Sequence, residues 1–120
     1  MTDLVSPIAA IDSDSVDIPL EALPADQVVA GDVRTGLIEL GSISGVEFGL
    51  WEHSAGVSTD VEADEVFVVV SGRGRVEIAG SEGSAPVTLE LKPGTVARLA
   101  AGAHTTWTID EPLRKVWFAA

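Results

Sequence analysis

Four carboxylates crowd into the segment Asp60, Glu62, Asp64 and Glu65, and the last of them opens the apolar run Val66–Val70 that ends at Ser71-Gly72. A short apolar run closed by a turn glycine reads as a buried strand. Side chains alternate faces along a strand, so Asp64 and Glu65 cannot both point inward. If Glu65 faces an apolar cavity that holds no cation, desolvation disfavours its charged form and raises its pKa. It is then a candidate general acid or base. The competing reading holds Glu65 by a buried hydrogen bond or an arginine and makes it a stabiliser of the fold. The acids together could offer oxygen ligands to a hard cation. A solvated acidic loop explains them more simply.

The two histidines are His53 and His104. His53 follows Trp51 at same-face spacing, so both can line one wall, with a rim or surface histidine as the plainer alternative. Phe67 and Val69 share the face of Glu65, and Trp107 shares that of Thr105. A tryptophan among small aliphatics such as Val69, Leu91 and Leu99 adds a flat wall with one N–H donor. Arg114 and Lys115 alternate in facing, so at most one should approach the interior or pair with an acid such as Glu52. Arg73 and Arg75 read as solvent-facing. Nucleophilic and phosphate-binding chemistry finds no support: there is no cysteine, no serine in a nucleophile elbow, and Gly72-Arg-Gly74 lacks a phosphate-loop context.

Strands must position these groups. From residue 35 onward, runs rich in β-branched and aromatic residues alternate with turn residues. The predicted strands are Leu37–Leu40, Val46–His53, Val57–Val61, Glu65–Val70, Gly74–Ile78, Val87–Leu91, Val96–Leu99, Thr105–Ile109 and Lys115–Phe118. The separators include Gly41-Ser-Ile-Ser-Gly45, Gly80-Ser-Glu-Gly83, Pro93-Gly94, Ala101-Gly102 and Asp110-Glu-Pro112. Residues 1–24 contain no Lys or Arg and are interrupted by Pro7 and Pro24. They read as an acidic arm, either a loose leader or, from the alternation of Val16, Ile18 and Leu20, a strand added across a dimer partner.

A chain of 120 residues at 46% hydrophobic suits one domain, here residues 25–120 after the arm. A net charge of −12 opposes phosphate backbones and anionic membrane surfaces, so no nucleic-acid or membrane partner is expected. The longest pure apolar run is too short to span a bilayer. The start Met1-Thr-Asp-Leu-Val lacks the basic region of a secretory signal, which points to a cytoplasmic location.

Trp51-Glu52, Trp107 and Arg114-Lys115-Val116-Trp117, together with Glu65–Gly72 and Gly94–Gly102, resemble the small cupins of the ureidoglycine-aminohydrolase and ethanolamine-utilisation type. That resemblance covers roughly residues 25–120 and implies an all-β fold, the double-stranded β-helix or jelly-roll cupin barrel. It gives Glu65 the place of a metal-ligating glutamate, while the histidine positions fall on Thr59, Val61 and Thr105, none of which can replace imidazole. No metal and no other cofactor is therefore expected. The first functional reading is a small-molecule binder, its cavity lined by Trp107, Thr59, Val61, Thr105 and Phe67 with Trp51 and His53 nearby, and Glu65 as the residue for any acid/base catalysis. The alternatives are a metal-dependent enzyme resembling ureidoglycine aminohydrolase and a non-catalytic structural or regulatory dimer with a filled cavity. A homodimer is expected in any case, since an outward stripe of Val66, Val68 and Val70 should not face water.

Overall fold

The computed structural model describes residues 10–120. Its strands are β1 (Glu21–Ala22), β2 (Val28–Ala30), β3 (Arg34–Ile43), β4 (Val46–His53), β5 (Gly56–Val61), β6 (Glu65–Ile78), β7 (Val87–Leu91), β8 (Val96–Leu99) and β9 (His104–Ala119), with one 3-10 turn at Ala25–Gln27. No helix among the described residues is long and apolar enough to cross a membrane.

Two pairs of predicted strands are fused. Glu65–Val70 and Gly74–Ile78 form the continuous β6, and Thr105–Ile109 and Lys115–Phe118 form β9. These two strands pair antiparallel from Glu65↔Ala119 to Ile78↔Thr105, with register shifts between Val69 and Gly74. Turn residues that would break a flat strand are absorbed there as bulges, which bend and twist a ladder without ending it. Gly72 makes the bend possible: its φ is +91°, and a Cβ would run into the carbonyl of Pro112 on β9. The separator Gly41–Gly45 is shorter than predicted, because β3 runs on to Ile43 and turns at Ser44-Gly45. Both residues have positive φ, 51° and 81°, as a two-residue hairpin turn matching strand twist requires.

The bent β6–β9 ribbon belongs to two sheets. Its one half, Glu65–Val69 with Lys115–Ala119, is flanked by β8 on one side and by β4, β3 and β1 on the other. Its other half, Gly74–Ile78 with Thr105–Ile109, is flanked by β7 and by β5 and β2. Folding the ribbon at its corner lays the two sheets face to face, which is the jelly roll. The space between them holds Phe67, Val69, Val76, Leu91, Leu99, Trp107, Ile109, Leu113 and Trp117.

A second core lies on the outer face of the first sheet, where Ile18 packs on Ile38, Leu40 and Leu50, with Ile11, Val16 and Leu20 at its margin. Of the arm predicted for residues 1–24, residues 1–9 lie outside the described part. The rest lies against its own chain, with β1 pairing β3. Arg114 fastens it. The guanidinium pairs with Glu52 at 2.7 Å and donates to the carbonyls of Ser13, Asp14 and Val16 at 3.0, 3.1 and 2.6 Å.

Candidate functional site: a caged lysine beneath a tryptophan-walled pocket

Along β9, Thr105, Trp107, Ile109, Leu113, Lys115 and Trp117 are all buried, the period-two signature of one face turned inward. That phase carries a lysine into the core. Lys115 pairs across the sheet with Trp51 on β4 and Val69 on β6, and is 4% exposed. Its Nζ lies 2.5 Å from Glu65 Oε2. It also stands 4.5, 4.3 and 4.8 Å from the ring centres of Trp51, Phe67 and Trp107. Ring faces carry negative charge, so three rings and one carboxylate replace the water an ammonium loses on burial. Desolvation still holds the Lys115 pKa below its ordinary value, against the upward pull of Glu65.

Glu65 therefore points inward, but not into an apolar cavity without a cation. The expectation of a lone carboxyl fails because Lys115 supplies the counter-charge. Both basic residues are engaged, Lys115 inside and Arg114 on the opposite face, where one of them was expected to be free at the surface.

Glu62 enters the interior as well. It follows β5 rather than forming part of a solvated acidic loop, and its Oε2 accepts from Thr105 Oγ1 at 2.6 Å and from Trp107 Nε1 at 3.1 Å. The Trp107 N–H also points at Thr105 Oγ1, 3.1 Å away. Burial pushes the Glu62 carboxyl above the usual range, while the bonds from Thr105 and Trp107 pull it back down. Asp64 serves elsewhere, accepting from Arg98 and from the Ala101 amide, both at 3.0 Å.

His53 is fully buried rather than at a rim. Its Nδ1 lies 2.5 Å from the Ser54 carbonyl oxygen and its Nε2 2.7 Å from Ser58 Oγ. On β5 the buried position is Ser58, 3% exposed, whereas Val61 is 57% exposed. Alternation then takes Val61 out of the interior, where the cupin resemblance had implied it, and leaves Thr59 half-buried. His104 is exposed, one residue out of phase with the buried Thr105.

Trp51 and Trp107 pack 5.2 Å apart, and Phe67 and Trp107 5.8 Å apart. Above the Trp51–Trp107 pair opens a pocket of about 110 Å³, walled also by Leu23, Gln27, Thr35, Ser58, Thr59 and Asp60. Val61, His104 and Thr105 border a larger, more open cleft of about 530 Å³, which shares Gln27, Thr59 and Asp60 with this pocket. The interior beside Glu65 is filled by Lys115 and the rings. Of the residues singled out in the sequence, Trp51, Thr59 and Trp107 share the pocket, while His53, Glu65, Phe67 and Thr105 stand behind it.

These residues do not suit a metal ion. Glu65 is bound to an ammonium, Thr105 to Glu62, and Thr59 and Val61 bring no imidazole. No three His, Cys, Asp or Glu side chains among the described residues stand close enough to share an ion.

Lys115, Glu62 and Ser58 were not singled out as site residues. Lys115 had a signal, since it lies an even number of residues from Thr105 and so keeps its phase if the strand is continuous. Glu62 stood out only as one of four crowded acids, and Ser58 had no signal, because the phase of β5 is set by its partner strands.

The chain resembles solved structures of the same architecture. Its fold matches the EutQ protein of Clostridium difficile with a TM-score of 0.60 at 14% identity, covering 88% of this chain and 96% of that one. It matches a protein of unknown function from Acidithiobacillus ferrooxidans with a TM-score of 0.59 at 22% identity, over 90% and 98% of the two chains. For a protein of unknown function from Pseudomonas syringae pv. tomato the TM-score is 0.66 at 18% identity, over 88% of this chain and 45% of that one. Identities this low speak to the fold alone. No curated protein matches the sequence significantly. The EutQ-like cupin domain matches residues 41–117, and the chain, a jelly roll with an inward Glu65, belongs to that cupin family.

Proposed function

We propose that this protein binds a small polar organic molecule in the pocket above Trp51 and Trp107, without a metal ion, as a cytoplasmic homodimer. The observation that carries the reading is the pocket itself, a concave site with two indole walls that Gln27, Thr35 and Ser58 also line. Binding sites combine apolar walls with a few placed polar groups in this way. Its size restricts the ligand: about 110 Å³ is the share of roughly four water molecules. A group of a few non-hydrogen atoms fits, and the rest of a larger molecule must project out.

In this reading Glu65 holds Lys115, and Lys115 holds the rings, so the acid/base role expected of Glu65 gives way to a positioning one. The filled interior beside Glu65 also favours a second reading, a regulatory dimer that binds no ligand.

Indole N–H resonances separate the two. Trp117 is the third tryptophan and lies outside the pocket, its Nε1 buried without a hydrogen-bond partner among the described residues. Titrating short-chain amides, alcohols and carboxylic acids into nitrogen-15-labelled protein should shift the Trp51 and Trp107 signals and leave that of Trp117. If no such compound moves the first two, or all three move alike, the regulatory reading stands instead.

A further inference from the structure

The tertiary structure joins His53 at the end of β4 to Ser58 on β5, a pair that no motif in the sequence announces. The Ser54 carbonyl is only an acceptor, so the Nδ1 that lies 2.5 Å from it carries the ring proton. Nε2 is then the bare nitrogen, and at 2.7 Å it accepts the hydrogen bond of the Ser58 hydroxyl. Burial and the nearby Lys115 ammonium both disfavour the imidazolium, which keeps this base neutral. Ser58 also forms part of the wall of the 110 Å³ pocket.

A hydroxyl held by a neutral base, a base oriented by a third group and an adjoining cavity are the parts of an activated nucleophile. We propose that Ser58 and His53 form a catalytic dyad that cleaves short-chain acyl esters. The inference rests on the pocket being the binding site, and the pocket's size sets the substrate class: a short acyl group inside, the alcohol portion outside.

In the first step Ser58 Oγ attacks the acyl carbon while His53 Nε2 takes the hydroxyl proton. The bond from the acyl carbon to the alcohol oxygen breaks, and Nε2 returns the proton to the departing oxygen. Water then attacks the acyl-serine with its proton passing to Nε2 and on to Ser58 Oγ, releasing the carboxylic acid. One ester and one water give one acid and one alcohol. The Gln27 amide, which donates one N–H to the Thr59 carbonyl at 3.3 Å and keeps a second, and the Thr35 hydroxyl line the same pocket and are the donors this step assigns to the developing oxyanion.

Two probes test this on the intact protein, methanesulfonyl fluoride with peptide mass mapping and p-nitrophenyl acetate with stopped-flow absorbance. Expected are a single sulfonyl group on Ser58 and a burst of p-nitrophenolate near one equivalent. Ser58→Ala should abolish both, and His53→Asn should slow them about 100-fold, within the usual contribution of a general base. Circular dichroism of each variant separates loss of the dyad from loss of fold, and the wild-type mapping needs no variant. If the wild-type protein takes no label at Ser58, or Ser58→Ala is labelled equally, the dyad is refuted. Acetamide titrated against the Trp51 and Trp107 resonances isolates the cause: shifts without labelling refute the dyad and leave the pocket, and neither result refutes both.

Discussion

Lys115 and Glu65 are each unaffordable in this core alone and tolerable only together. Removing one partner of a buried ion pair leaves an uncompensated charge, a loss of about 3–5 kcal/mol, whereas replacing both with apolar groups of similar volume is near neutral. Glu65→Gln should therefore lower the unfolding free energy in urea at pH 7 by about 3 kcal/mol, somewhat less if the partly exposed carboxylate is screened. The double variant Lys115→Met with Glu65→Leu should recover most of that loss. Additive losses in the double variant would mean that the pair is not coupled. Glu62 makes a second expectation at this scale. Its folded pKa lies above the ordinary 4.5, so its contribution to stability is full below that value and is lost as pH rises through the folded pKa. Because Trp107 donates to Glu62, tryptophan fluorescence should titrate above the ordinary carboxylate range, with Asp60 and Lys115 as the charged neighbours that tune the midpoint. Glu62→Gln keeps an acceptor for Thr105 and Trp107, and it should abolish the transition and make stability flatter with pH. An unchanged titration in that variant would assign the signal to another group.

The element that organises the molecule is the β6–β9 ribbon, and its corner is the weak point. Gly72→Ala faces two penalties, a positive φ and overlap with the Pro112 backbone, while Gly94 has a similar φ of +94° with open space around it. Gly94→Ala should cost about 1 kcal/mol, the usual penalty of left-handed backbone for a residue with a Cβ. Gly72→Ala should cost about 3 kcal/mol or more, since backbone on both sides must move. Thermal unfolding of the two variants measures the difference, and equal losses would show that the corner yields freely. The strands themselves were legible from their β-branched runs and alternation. Their fusion was not, because a glycine at a bulge and a glycine in a turn look the same in sequence, and only pairing with a second long strand tells them apart.

At the scale of the whole molecule, charge and apolar surface pull in opposite directions. Val46, Val66, Val96 and Phe118, 37%, 38%, 67% and 40% exposed, lie on the outer face of the first sheet beside Phe48, Val68 and Val116. Such a stripe marks an interface more often than a bare surface. Light scattering should report twice 12.4 kDa at micromolar concentration, and Phe118→Asp should give the monomer. Each chain carries −12, so association should strengthen as salt screens the repulsion between copies. A wild-type monomer at all salt concentrations would refute the dimer.

The sequence by itself determined the all-β class, most strand positions and the inward phase of Glu65, Phe67, Thr105 and Trp107, because burial along a strand has a period of two and is written locally. It could not determine what stands opposite those residues. Lys115 meeting Glu65, Glu62 meeting Trp107 and Ser58 meeting His53 join residues 50, 45 and 5 positions apart. Whether a carboxylate is lone or paired, and whether a hydroxyl is idle or held by a base, depends on the register of neighbouring strands and the fold of a corner. Those are set by packing of the whole chain, and so the chemistry of this interior was decided only in three dimensions.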